Sequence, residues 1–275
     1  MIMEWRDKVI DWNKKTWVMG ILNATPDSFS DGGNYVTCDR AVQHAVQLVQ
    51  EGADLIDIGG ESTRPGAVPV SLEEELERVI PVIKAVRAAI DVPISIDTYK
   101  AEVADQALSA GADIINDVWG AKADPMMGRI AAKHEVPIIL MHNRQGMNYG
   151  DIMEDIKVDI DESIAIVKEA GVLDRNIILD PGIGFAKTHE QNLEVMRRLN
   201  EFSALGYPVL LGTSRKSLIA KTLNTQADDR VEGTGATVCL GIERGCQIIR
   251  VHDVKPMVRM AKMMDAMLKP DIITN

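Results

Sequence analysis

The sequence of 275 residues has few cysteines and no excess of basic charge. Its three cysteines, Cys38, Cys239 and Cys246, form no C-x-x-C pair. This usage argues against a disulfide framework or a structural zinc site and favours a reducing compartment. The net charge of −11 argues against a nucleic-acid surface, because tracking phosphates requires a basic stripe. Any anionic ligand must therefore bind at a local positive site.

Signals for membrane insertion and secretion are also missing. The apolar runs are short, and the N-terminal segment MIMEWRDKVI carries charges where a secretory signal would be apolar. We therefore expect a cytoplasmic protein. No low-complexity segment or Pro/Ser-rich linker divides the chain, so we predict one domain over residues 1–275.

Short β-branched runs alternate with longer stretches of helical pattern. The eight runs are WVMGIL, DLIDIG, PISID, DIIND, VPIILM, NIILD, PVLLG and QIIRV. The helical stretches include SLEEELERVIPVIKAVRAAI, EDIKVDIDESIAIVKEAG, EQNLEVMRRLNEFSALG and VEGTGATVCLGIERG. Eight strands alternating with helices over about 250 residues predict an α/β fold, a single (β/α)8 TIM barrel. The competing doubly wound sheet requires a G-x-G-x-x-G turn directly after a strand, and none occurs there.

Polar residues lie at the C-terminal ends of the predicted strands, where barrel enzymes place their sites. They are Asn23, Asp97, Asn116, His142, Asp180, Ser214, Arg215, Lys216, Arg250 and His252. Taken singly, Asp97 could cap a helix and Asp180 could form a turn with Pro181 and Gly182. Taken together, so many polar groups on one rim would be left unpaired without a ligand. The pattern therefore favours a binding or catalytic site.

The segment QIIRVHDV places a cation and an imidazole inside a buried strand. Arg250 and His252 are two residues apart, so their side chains point to the same face. An arginine fork and a histidine donor suit a phosphate-bearing ligand. The alternative is a structural salt bridge to a neighbouring carboxylate, because buried charges are usually paired.

Seven segments in order resemble the dihydropteroate synthase family. They are ILNATPDSFSDGG, DIGGESTRPGA, SIDT, GADIINDV, DPGIGFAKT, LLGTSRKS and RVHDV. The resemblance runs from Val18 to about Met257. It implies an enzyme of folate biosynthesis that joins 6-hydroxymethyl-7,8-dihydropterin diphosphate to 4-aminobenzoate and releases pyrophosphate. An S_N1-like loss of the diphosphate is the mechanism we expect.

The resemblance also implies a role for individual residues. The residues expected to bind the pterin are Asp97, Asn116, Met141, Asp180, Phe185 and Lys216. Those expected at the diphosphate are Asn23, Thr63, Arg64, Arg250 and His252. Those expected at 4-aminobenzoate are Phe29, Thr63, Pro65, Phe185 and Ser217. Asp97, Lys216, Arg250 and His252 are the expected catalytic residues.

Mg²⁺ is the implied cofactor, carried by the diphosphate beside Asn23. Because Mg²⁺ keeps most of its waters and binds through substrate phosphates, it needs no protein cage. The resemblance further implies a homodimer and inhibition by sulfonamides. Two residues beside the expected ligands, Ala24 and Asn143, depart from the family pattern and can tune affinity.

Two other functions fit parts of the sequence. A pterin-dependent methyltransferase would share the barrel and the pterin edge, but Arg250, His252 and the TPDSFSDGG loop would then have no diphosphate to serve. A non-catalytic pterin-binding paralogue would be expected to carry a damaged diphosphate site, and the sequence shows no such damage.

Overall fold

A computed structural model describes residues 1–6, 8–24, 34–62, 68–226 and 228–269, with the backbone alone for 34–37. The chain begins with a hairpin that the sequence analysis did not predict. Strand β1 (Ile2–Trp5) pairs antiparallel with β2 (Lys8–Asp11). Alternation along the hairpin buries Met3, Trp5 and Ile10. The hairpin thus adds an apolar layer to the core ahead of the first barrel strand.

Eight parallel strands form the central sheet. They are β3 (Trp17–Asn23), β4 (Leu55–Gly59), β5 (Ile94–Asp97), β6 (Ile114–Asp117), β7 (Ile138–Met141), β8 (Ile177–Asp180), β9 (Leu210–Leu211) and β10 (Ile248–Val251). Their order in the sheet is β8-β7-β6-β5-β4-β3-β10-β9. A parallel bridge between Leu179 and Val209 joins the two ends. The predicted TIM barrel is confirmed, and each strand falls within one of the eight predicted runs, except that β3 extends one residue further, to Asn23.

Helices surround the sheet. They are α1 (Asn34–Gln50), α2 (Leu72–Arg87), α3 (Ala101–Ser109), α4 (Met127–His134), α5 (Ile152–Glu169), α6 (His189–Arg197), α7 (Leu199–Ser203), α8 (Ser217–Leu223), α9 (Val231–Glu243) and α10 (Val254–Leu268). The stretch EQNLEVMRRLNEFSALG, predicted as one helix, forms two. The backbone leaves the helical region at Arg198, with φ −101° and ψ 16°. After the break, Leu199 and Phe202 are both fully buried.

Local sequence explains where several elements begin. Ser71 caps α2 by accepting a hydrogen bond from the backbone N–H of Glu74, as expected for a serine at this position. Thr188 and Gln191 form a reciprocal capping box that opens α6. The strands are buried on both faces, as parallel strands between a barrel core and a helical layer must be. In the part of the chain that is described, no helix is both long and apolar enough to cross a membrane.

Candidate active site

The predicted site residues lie on one rim of the barrel. Asp97 ends β5 and is in register with Gly59 of β4 and with Asn116 of β6. Further round the sheet, Met141 ends β7 and is in register with Asp180, which ends β8. Because parallel strands end at the same edge, the register brings these side chains to a common surface. All four side chains are buried.

A buried carboxylate that the sequence analysis did not single out organises one half of this rim. Asp57 lies inside β4, is fully buried and accepts three hydrogen bonds. The donors are Ser95 Oγ at 2.6 Å, Asn116 Nδ2 at 3.2 Å and Arg250 Nε at 2.6 Å. Asp57 therefore fixes the orientations of an amide and a guanidinium that the sequence analysis assigned to two different subsites.

Arg250 is held by two carboxylates. Its Nε donates to Asp57 and its Nη2 donates to Asp97 Oδ2 at 2.7 Å. The side chain is 19% exposed, and Nη1 has no hydrogen-bond partner among the described residues. Burial alone would lower the pKa of Arg250, but Asp57 and then Asp97 hold it above the ordinary range. The structural salt bridge considered from the sequence is therefore present, and it leaves one end of the guanidinium fork available to a ligand.

The two carboxylate oxygens of Asp97 differ in their contacts. Its Oδ1 is buried and has no hydrogen-bond partner within the described ranges. Burial raises the pKa of Asp97 to about 7, with Arg250 opposing the shift and Asp57 adding to it. The helix-cap alternative is wrong, because the residue at the N-cap position of α3 is Lys100. Because buried polar atoms are usually hydrogen-bonded, this oxygen is available to a donor on a ligand.

Asp180 and Lys216 lie on the other half of the rim, both beside Gly212. A Cβ atom on Gly212 would stand 3.7 Å from Lys216 Nζ and 3.8 Å from Asp180 Oδ2. Asp180 Oδ1 accepts the backbone N–H of Gly182 at 2.7 Å, so the turn expected as the alternative role is formed as well. Lys216 Nζ donates to the carbonyl of Ile183 at 2.6 Å.

The same lysine covers an aromatic ring. Its Nζ lies 4.7 Å from the ring centroid of Phe185, within the range of a cation–π contact. Burial lowers the pKa of Lys216 to about 8, with Asp180 opposing the shift. Burial raises the pKa of Asp180, with Lys216 opposing the shift. Asp180 and Lys216 therefore form a polar surface beside the apolar ring of Phe185.

Neighbouring strand ends hold His252 in place. Ser214 Oγ accepts the backbone N–H of His252 at 3.1 Å and lies 3.0 Å from His252 Nδ1. Because this oxygen already accepts one proton, its hydroxyl can donate to Nδ1, which favours the tautomer protonated at Nε2. Arg215 is tied to Asp253 through Nε at 2.9 Å and Nη2 at 2.5 Å. Arg215 therefore joins the loop after β9 to the end of β10.

Two further predicted residues, Asn23 and Ser217, lie at the ends of their elements, and their binding roles stay predictions. Asn23 is the exposed last residue of β3, and Ser217 is the exposed first residue of α8. The two residues that depart from the family pattern make ordinary contacts. Ala24 is buried and its N–H donates to the carbonyl of Gly59. Asn143 Nδ2 donates to the carbonyl of Val118.

Four predicted residues lie outside the described part of the chain. Phe29 belongs to the stretch 25–33, and Thr63, Arg64 and Pro65 belong to the stretch 63–67. Their assignments stay predictions.

The donor set on the rim is compatible with Mg²⁺. The amide oxygen of Asn23 is the kind of hard ligand that Mg²⁺ accepts, and the ion takes most of its remaining ligands from water and phosphate. Within the described ranges, no three His, Cys, Asp or Glu side chains are grouped as a metal cage.

Asp57 and Lys187 were not predicted from the sequence. A weak signal existed for Asp57, which is a carboxylate inside the apolar run DLIDIG at the start of a recognised segment. Lys187 lies in DPGIGFAKT and is 6% exposed. Its Nζ donates to the carbonyl of Gly182 and contacts His142 Nδ1.

The fold and the rim thus define a barrel enzyme with paired carboxylate, amide and lysine groups for a flat polar heterocycle, beside an arginine and a histidine. Residues 19–252 match the family model described as pterin binding enzyme. The chain belongs to this family, and within it to the dihydropteroate synthases, on the evidence of the following relatives.

A dihydropteroate synthase of Bacillus subtilis is 60% identical over 97% of this chain and 94% of its own length. A Clostridium difficile dihydropteroate synthase, solved in the presence of pteroic acid, is 53% identical with a TM-score of 0.93. That match covers 94% of this chain and 99% of the other. A Yersinia pestis dihydropteroate synthase in a sulfonamide drug complex is 41% identical with a TM-score of 0.90, over 97% and 99% of the two chains.

Proposed function

We propose that the protein condenses 6-hydroxymethyl-7,8-dihydropterin diphosphate with 4-aminobenzoate to give 7,8-dihydropteroate and pyrophosphate, at the rim built from β4, β5, β6, β8 and β10. The observation that carries this proposal concerns two joined side chains, because Arg250 Nη2 donates to Asp97 Oδ2. Among the described residues, Asp97 Oδ1 and Arg250 Nη1 have no hydrogen-bond partner. The first group suits the donor edge of a pterin. The second suits the phosphate that leaves it.

The pterin would bind between the two halves of the rim. Asp180 and Asp97 supply carboxylate oxygens for the ring N–H and amino groups, and Asn116 can donate and accept at once. Asn116 donates one amide hydrogen to Asp57. This hydrogen bond fixes the orientation of the amide toward the ring. Lys216 would reach the ring carbonyl, and Phe185 and Met141 would form the apolar walls that a flat heterocycle requires.

The diphosphate would lie against β10. Arg250 Nη1 supports this placement, because the other two nitrogens of the guanidinium are anchored and present it in a fixed direction. His252 would donate from Nε2 to the leaving group. Asn23 would hold Mg²⁺ carried by the diphosphate. When bound, Mg²⁺ neutralises charge that develops on the leaving oxygens.

The reaction needs no protein nucleophile. Breaking the bond between the pterin methylene carbon and the diphosphate oxygen leaves a methylene cation stabilised by the dihydropterin ring. The neutral amine of 4-aminobenzoate attacks that carbon and loses a proton afterwards. The protein binds the two reactants in contact and stabilises the departing charge, and positioning alone is worth up to about 7 to 11 kcal/mol in favourable cases.

Several finer properties belong to the proposal. 4-Aminobenzoate would bind over Phe185, with its carboxylate at Ser217. Its pocket would be completed by Phe29, Thr63 and Pro65. Thr63 and Arg64 would also reach the diphosphate. Sulfonamides would compete for that pocket, as supported by the Yersinia pestis relative solved with a sulfonamide drug. We further propose a cytoplasmic homodimer.

The test is turnover by the purified protein with the pterin diphosphate and Mg²⁺, with and without 4-aminobenzoate. We expect pyrophosphate release and a product with the mass of dihydropteroate, both dependent on 4-aminobenzoate. Chelating Mg²⁺ with EDTA should slow release and leave binding of 6-hydroxymethyl-7,8-dihydropterin unchanged. Tight pterin binding without release would instead favour the methyltransferase or the non-catalytic paralogue. Methyl transfer from a methylated pterin would then separate those two.

A further inference from the structure

We propose that Lys187 is a positioning residue for the pterin subsite, which holds the loop of residues 181–186 in the shape that places Asp180 and Phe185. The inference rests on the proposed function, because it assigns these two residues to the pterin. The role assigned to Lys187 is exerted through the backbone of the loop, which its ammonium contacts together with the residue after β7.

All three donors of the Lys187 ammonium are used inside the protein. Nζ donates to the carbonyl of Gly182 at 2.9 Å and to the carbonyl of Phe185 at 3.2 Å. It also lies 2.8 Å from His142 Nδ1. Two of these contacts fasten the beginning and the end of the loop to one atom. The third joins the loop to the end of the neighbouring strand.

His142 completes this support. Its Nε2 lies 2.9 Å from Asp159 Oδ2, so Nε2 donates to the carboxylate and Nδ1 accepts from Lys187. Burial and, after it, the charge of Lys187 lower the pKa of His142 to about 2. The imidazole is therefore neutral, as this arrangement of donors requires. Arg144 Nε, 3.1 Å from the same carboxylate oxygen, closes the chain of contacts.

Burying a lysine side chain costs more free energy than burying an apolar one. Lys187 is 6% exposed, and burial lowers its pKa to about 7, with Asp180 opposing the shift. If the loop required packing alone, an apolar side chain of similar length would serve without that cost. The ammonium does what an apolar chain cannot, since it satisfies two loop carbonyls that turn inward.

A second lysine holds the same loop at other atoms. Lys216 donates to the carbonyl of Ile183 and lies over Phe185. The loop is thus fixed by two lysines, Lys216 among the residues predicted to bind the pterin and Lys187 outside that set. Gly182 confirms how tightly it is packed, because a Cβ there would stand 1.9 Å from the carbonyl oxygen of His142.

The test is Lys187→Met, which keeps the length of the side chain and removes its donors. Affinities for two ligands are measured by titration calorimetry, 6-hydroxymethyl-7,8-dihydropterin for the pterin subsite and pyrophosphate with Mg²⁺ for the subsite at β10. We expect pterin affinity to fall about tenfold, as befits loss of buried hydrogen bonds that fix a binding group. Pyrophosphate affinity should stay within about twofold, because Arg250 and His252 belong to other elements.

Two controls separate positioning from loss of stability. Leu108→Ala removes a buried side chain of α3, which follows β5, three strands away from β8 in the sheet. It should lower the melting temperature and leave both affinities unchanged. Lys168→Met removes a lysine that is 50% exposed and should change neither. Lys187→Gln, which retains two donors, should recover part of the lost pterin affinity and also serves if the methionine variant does not fold.

The outcomes are distinct. Selective loss of pterin affinity in Lys187→Met, partly recovered in Lys187→Gln, supports the inference. Unchanged pterin affinity, or an equal loss for both ligands, overturns it, provided that the wild type binds the pterin and turns over. Wild-type protein that binds no pterin overturns the proposed function, and the positioning role with it.

Discussion

Replacing Asp57 with asparagine should destabilise the folded protein, because this carboxylate is the shared partner of Ser95, Asn116 and Arg250. The substitution conserves volume but removes a charge from a fully buried site. It also turns one acceptor into an NH₂ group that would face existing donors. Breaking a buried ion pair by removing one partner typically costs about 3 to 5 kcal/mol.

The expected cost here is at the lower end of that range. Arg250 keeps its second carboxylate, Asp97, at 2.7 Å, and the new amide keeps one oxygen for Ser95. We therefore expect a loss of about 3 kcal/mol in the free energy of unfolding. For a protein of this size, each kcal/mol lowers the melting temperature by about 2 to 4 °C.

The assay is urea unfolding followed by circular dichroism, with thermal melting as a second measure. Asp105→Asn is the matched control, because Asp105 also contacts basic partners, Lys133 and His134, but its side chain is 25% exposed. Exposed pairs of that kind contribute up to about 1 kcal/mol. If Asp57→Asn loses no more stability than Asp105→Asn, the buried network does not organise the rim as described here.

Two further predictions concern the other half of the rim. The wild type should bind the pterin more tightly than Lys216→Met, and this difference should shrink as pH rises through about 8, because the pKa of Lys216 is lowered to about 8 and the charged donor is lost above it. Calorimetry at several pH values measures the two affinities. A ratio of affinities that does not change with pH would show that the charge is not used. Gly182→Ala should abolish pterin binding, because its Cβ would meet the carbonyl of His142 at 1.9 Å. Gly206→Ala is the control, because Gly206 has a similar positive φ of 86° and its Cβ would meet no heavy atom within 4 Å, so this substitution should cost only backbone strain. Equal effects of the two alanine substitutions on pterin titrations and melting temperature would contradict the close packing of Gly182 against His142.

Much of the barrel could be predicted because parallel strands buried on both faces produce short, continuous apolar runs at regular spacing. The N-terminal hairpin escaped prediction for a related reason. Its strands are four residues each, and charges interrupt the apolar alternation, so that pairing depends on the core beneath it. The break at Arg198 was also missed, since no proline or glycine marks it.

In the candidate site too, some residues could be predicted from the sequence and others could not. Residues at strand ends, such as Asp97 and Asp180, could be named because polar residues are unusual where apolar strands stop. Asp57 and Lys187 could not, because each is defined by partners distant along the chain. Asp57 meets Arg250 across 193 residues, and Lys187 meets His142 across 45. Their roles follow from tertiary contacts alone.

We expect Arg250 to direct Nη1 of its guanidinium at the diphosphate of a bound pterin. The most direct measurement is the ratio of affinities for the pterin diphosphate and for 6-hydroxymethyl-7,8-dihydropterin, in the wild type and in Arg250→Met, at fixed Mg²⁺. Charge-assisted hydrogen bonds contribute about 1.5 to 3 kcal/mol, so the ratio should fall about tenfold to a hundredfold in the variant. Comparing a ratio cancels any general damage from leaving Asp57 and Asp97 without their cation. A ratio that is the same in both proteins would contradict a role at the diphosphate and leave Arg250 as a structural partner of the two carboxylates.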